Sequence, residues 1–90
     1  MNEMDILERY LKENDYIYEQ TIEDNEYLPR DQIVVYNSEG KRVWDAICHK
    51  GSYGFDIGLI EIMGSIVPKE LTVEGWLTAA DIIKRINKHE

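Results

Sequence analysis

Residues 37–40, N-S-E-G, separate two runs rich in β-branched and aromatic residues. Q-I-V-V-Y comes before them and K-R-V-W-D-A-I-C after. Runs of this kind around a short polar turn predict a β-hairpin over 32–48. Gly40 suits the left-handed position at the end of such a turn. Side chains alternate between the faces of a strand, so Trp44, Ala46 and Cys48 share one face of the second arm, and Val43, Asp45 and Ile47 share the other. The first set carries no charge and is the expected core face. Asp45 then points outward, or lies at an edge beside a base such as Lys41.

The rest of the chain is expected to cover this hairpin. Residues 2–13 have helical spacing, with Ile6, Leu7, Tyr10 and Leu11 as the apolar stripe and Met4 extending it. Asn2 can cap the start, with Asp5 three residues on. Asp5 to Arg9 and Glu8 to Lys12 are acid-to-base pairs one helical turn apart. Residues 16–22, Y-I-Y-E-Q-T-I, predict a strand, and 23–31 an acidic loop, because Pro29 is unsuited to a central strand. Residues 55–67 are apolar at Phe55, Ile57, Leu59, Ile60, Ile62, Met63, Ile66 and Val67, which predicts a helix buried on several sides and ended by Pro68. Asp56 and Glu61 mark its expected wet edge, and Gly54, Gly58 and Gly64 its points of close approach. A short strand is expected around Leu71 and Val73. Thr78 and Asp81, with Leu77 and Ile82 as a staple, start a final helix over 79–88, whose stripe is Ile82, Ile83 and Ile86. The expected fold is α+β, with an N-terminal helix, an antiparallel sheet of about three strands, a buried helix 55–67 and a C-terminal helix. Ninety residues fit one small domain, 1–90.

Composition narrows the function. A 43% hydrophobic content argues against wholesale disorder. One cysteine cannot form an internal disulfide, which favours a reducing, cytoplasmic setting. The acidic N-terminus is unlike a signal peptide, and no apolar run approaches the ~18 residues of a membrane span. Net charge is −8, and residues 1–31 hold ten acids against three bases. Direct binding to nucleic acid or to an anionic membrane is therefore not expected. A basic protein partner is.

Two segments are candidate sites. In the first, Tyr16, Tyr18 and Tyr27 interleave with Glu19, Glu23, Asp24 and Glu26, so that rigid aromatic contact area is combined with steering charge. The second is the turn at Cys48, His49, Ser52, Tyr53 and Gly54, which precedes the expected helix and would offer amide groups to an anion. It lacks the glycine-loop lysine pattern of a phosphate site. Cys48 and His49 are adjacent on a strand and point to opposite faces, which argues against a nucleophile–base pair. Too few ligands accompany them for a metal site. No catalytic residues, metal or cofactor are expected.

The stretch W-D-A-I-C-H-K-G-S-Y-G-F-D-I-G-L-I-E-I-M-G, followed by V-E-G-W-L-T-A-A-D-I-I-K-R-I, resembles short uncharacterised proteins of phages and mobile elements of Gram-positive bacteria. The resemblance implies a compact accessory protein and brings no assigned chemistry. Together with the charge, it suggests a non-enzymatic protein-binding role, such as inhibition of a host nucleic-acid-handling or defence complex. The alternatives are a ligand-binding or enzymatic domain centred on the Cys48–Gly54 turn, or a structural homodimer using apolar surface near Trp76 or the Gly54/Gly58 face.

Overall fold

A computed structural model describes residues 2–23 and 30–89. The element order is α1 (Glu3–Glu13), β1 (Ile17–Glu23), β2 (Arg30–Tyr36), β3 (Arg42–His49), a 3-10 turn (Phe55–Ile57), β4 (Ile60–Gly64), β5 (Val73–Leu77) and α2 (Ala79–His89). The strands form one antiparallel sheet in the order β1-β2-β3-β4-β5, so each lies beside its neighbours in sequence. The fold class is α+β.

Both helices lie on one face of the sheet. Met4, Leu7 and Leu11 of α1 and Ala79, Ile82 and Ile86 of α2 are buried, each set at i, i+3, i+7 spacing. They pack on Ile33, Val35, Trp44, Ala46, Ile60 and Ile62, the inward residues of β2, β3 and β4. Trp44 and Ala46 thus take the face expected of them, and Cys48 packs half-buried at the margin of the same core. Asp45 faces away, where it pairs with Arg42 at 3.2 Å.

Local signals at the helix starts act as their chemistry dictates. Asn2 accepts the Asp5 amide at 2.8 Å, and Asp5 returns the bond to the Asn2 amide, closing a capping box. Thr78 and Asp81 make the same reciprocal pair before α2, at 3.0 and 3.1 Å. The bond from the Thr78 amide, followed by one from the Thr78 side chain, holds the Asp81 carboxyl below its ordinary pKa. The end of α1 is a Schellman turn, in which the Tyr16 amide donates to the Leu11 carbonyl and the Asp15 amide to that of Lys12. Asp15 supplies the left-handed residue, at φ 59°.

The helices run side by side in the same direction. Glu3 accepts from the Ala79 amide at 2.7 Å, and about two turns further on the Tyr10 hydroxyl donates to Asn87 at 3.2 Å. Glu3 thereby places a carboxylate at the positive end of α2. Glu74 and Arg85 tie β5 to α2 through a two-pronged ion pair, one prong at 3.0 Å.

The expected buried helix over 55–67 is not formed. Its first residues make one 3-10 turn, 60–64 become β4, and Ile66 and Val67 are buried in the turn that follows. The sheet accordingly has five strands where about three were expected. Backbone geometry gives the reason. Gly54, Gly58 and Gly64 lie at φ 100°, 73° and 115°, in a region closed to a right-handed helix. Gly58 and Gly64 bracket a strand, and the close approach expected of these glycines is made at Gly54 to the backbone of Trp76 and at Gly64 to that of Val43 and Trp44. Between Gly58 and Gly64, L-I-E-I-M alternates, with Ile60 and Ile62 facing the helices and Glu61 and Met63 facing away.

Candidate functional site

Among the described residues, the face of the sheet opposite the helices is covered only at its β4 end, where the turn before the 3-10 segment lies over Glu61. Ile17 and Met63 are exposed on it, and Val34 and Ile47 half-buried. A polar chain crosses this face. Glu23 and Arg30 stand 4.0 Å apart, Arg30 donates to Gln32 at 3.1 Å, Gln32 donates to Asp45 at 3.1 Å, and Asp45 meets Arg42. Residues on neighbouring strands reach one another this way because the register brings Glu23, Thr21 and Glu19 opposite Arg30, Gln32 and Val34. The Tyr36 hydroxyl donates to Glu19, which raises the tyrosine's pKa.

This arrangement divides the acidic, tyrosine-bearing segment. Glu19 and Glu23 are exposed on the open face of β1. Tyr18 points to the helix side, where its hydroxyl donates to Glu8; that bond raises the Tyr18 pKa. Tyr16 packs against the core, with its ring 6.3 Å from that of Tyr10. The tyrosines and the acids therefore do not form one contact surface here. The tyrosines join β1 to α1, and the acids face out. Asp24, Glu26 and Tyr27 lie outside the described residues.

On the helix side, the end of β1 opens into a cleft of about 370 Å³ between the start of α1 and the turn around residue 55. Met4, Ile22, Cys48 and Phe55 give it an apolar lining, and Asp31 and Glu23 stand on its polar side with Arg30. Ile22 is 61% exposed at its rim. Asp31 lies directly across the β2–β3 pair from Cys48. Partial burial raises the Asp31 pKa, a 3.0 Å bond from Gln20 opposes that rise, and the charge of Asp5 adds to it. Burial, followed by the charge of Asp31, pushes the Cys48 thiol up. Sequence reasoning missed Ile22 as a rim residue. The available signal was the alternation of 16–22, which puts Ile22 on the side of Tyr18 and Gln20.

The turn at 48–54 is divided as well. Cys48 faces the cleft, and His49 sits on the opposite face across from Arg30. Ser52 does not cap a helix; its hydroxyl accepts the His49 amide at 3.1 Å. The Tyr53 ring stacks on that of Trp76 at 5.0 Å, and its amide donates to Glu61 at 2.9 Å. Glu61, expected at a solvated helix edge, is thus buried on the outer face of β4 beneath this turn. Gly54 is buried against Leu59 and the backbone of Trp76. No group of three or more His, Cys, Asp or Glu among the described residues is placed to hold a metal ion. None of the described helices is long and apolar enough to cross a membrane.

No protein-family model, curated protein or solved structure significantly matches the chain.

Proposed function

We propose that this chain is a non-enzymatic protein-binding module that recognises a basic surface on its partner through the β1 side of its sheet. The observation that carries the reading is that β1 is an edge strand with Glu19 and Glu23 exposed on its open face. The surrounding charge supports it, since residues 1–31 are seven units negative. Opposite charge speeds the encounter and rejects acidic competitors. A nucleic-acid-handling protein offers such a surface, because carboxylates can enter a groove built for phosphates. An accessory protein of a phage or mobile element that inhibits a host complex would use its acidity in this way. The separation of Cys48 and His49 onto opposite faces favours binding over nucleophilic chemistry.

Comparative affinity capture from a host lysate tests the reading. The wild-type chain is expected to retain a basic protein in a salt-sensitive manner. The E19K/E23K double variant, with an unchanged circular dichroism spectrum, is expected to lose it. Retention of the same proteins by both chains would overturn the reading.

A further inference from the structure

We propose that the basic partner contributes an extended segment that adds to β1 as a further strand, with basic side chains on the open face and an apolar side chain seated in the cleft beside Ile22. The inference rests on the basic-partner reading above and specifies how that partner is held. Three observations converge on it.

The first is the free edge. The described residues give β1 one strand neighbour, β2, along all seven residues from Ile17 to Glu23. The other edge of an antiparallel strand presents unpaired amide and carbonyl groups, which template an incoming strand. The opposite side of the sheet is a poorer template. β5 has five residues, its register shifts against β4 between Ile60 and Ile62, and Trp76 breaks its extended course at φ 55°.

The second is charge. Side chains directly opposite on paired strands stand about 4.5–5.5 Å apart. An incoming strand would therefore bring every second residue beside Ile17, Glu19, Thr21 and Glu23 on the open face, within ion-pair reach of two exposed carboxylates. A second copy of this chain is the wrong occupant, because β1 paired with β1 sets the acid-rich first third against itself.

The third is the cleft. The intervening residues of the incoming strand would point to the helix side, toward Tyr18, Gln20 and Ile22. There the exposed Ile22 and the apolar lining from Met4, Cys48 and Phe55 offer space for one aliphatic or aromatic side chain. Strand addition draws affinity from the main chain and specificity from such alternate pockets. The expected partner motif alternates Lys or Arg with apolar residues.

Selection from a displayed library of short random peptides against the intact chain tests this. Enrichment of alternating basic and apolar sequences is expected, with amide chemical-shift changes centred on residues 17–23. N-methylation of one alternate set of peptide amides should weaken binding by at least roughly tenfold, and methylation of the other set should not. Ile22→Lys, at an exposed position, should weaken it comparably. Basic peptides that bind with equal tolerance of both methylated sets, or whose shifts centre on β5, would overturn strand addition and leave the basic-partner reading standing. Failure to enrich basic peptides at all would overturn both.

Discussion

Asp31 and Cys48 face each other across neighbouring strands on the helix side of the sheet, so an acid partly withdrawn from water sits beside a thiol partly withdrawn from water. The Asp31 carboxylate disfavours charge on the thiol. The thiol is held up from its ordinary 9.0 by burial first and by Asp31 second. Asp31→Asn removes the second cause and leaves the first. The pH profile of Cys48 alkylation by iodoacetamide is expected to move to lower pH in the variant. Stability follows the opposite sign from a salt-bridged acid. The folded pKa of Asp31 is raised, so the fold loses stability as pH climbs from the ordinary 3.8 to the raised value. Urea titrations across that window should show the loss in the wild type and a flatter profile in D31N.

Glu61 holds the turn over the outer face of β4 through the Tyr53 amide. Glu61→Gln keeps an acceptor oxygen, whereas Glu61→Ala leaves the amide without one. Urea denaturation should find the alanine variant about 1–3 kcal/mol less stable and the glutamine variant much closer to wild type. Loosening of the turn should also alter the fluorescence of Trp76, which is exposed and stacked on Tyr53.

Gly64 and Gly40 both have positive φ, at 115° and 80°, but differ in their surroundings. A Cβ on Gly64 would stand 2.6 Å from the Val43 carbonyl oxygen and 2.7 Å from the Trp44 Cα, whereas one on Gly40 would meet nothing within 4 Å. Gly40→Ala should therefore cost only backbone strain, about 1–2 kcal/mol. Gly64→Ala adds backbone collision and should cost more than about 3 kcal/mol. The midpoints of thermal melts will separate the two.

Asp15 ends α1 in the left-handed region with both Schellman bonds in place. Asp15→Gly keeps those bonds and removes the Cβ penalty. It is expected to stabilise the chain by about 1 kcal/mol, read as a rise in the urea midpoint with no change in slope.

The elements that could be read in the sequence were those whose signal is local. Asn2 with Asp5, Thr78 with Asp81, and the N-S-E-G turn each specify their own geometry from a few adjacent residues. The segment 55–67 did not, because a continuous apolar run fits a buried strand and a buried helix equally well by periodicity. Its glycines decided the matter through left-handed φ values that a residue count does not reveal. The cleft was hidden for a different reason. Met4, Ile22, Asp31, Cys48 and Phe55 come from five separated stretches, and the sheet order that assembles them depended on the misread segment. Glu19 and Glu23 are exposed on the open face of β1. Their separation from Tyr16 and Tyr18 follows from strand alternation.

The bond from Glu3 to the Ala79 amide spans 76 positions, while every strand pair in the sheet joins consecutive segments. Each hairpin closes a short loop at small entropic cost, so the meander can grow pairwise as the chain lengthens. The helix-to-helix contact instead joins the first and last elements of the chain. Until α2 docks, α1 can cover only part of the sheet, and the start of α2 lacks its distant carboxylate. The sheet can thus be assembled from neighbours in sequence, whereas the helix layer that covers it is complete only when the two ends of the chain meet.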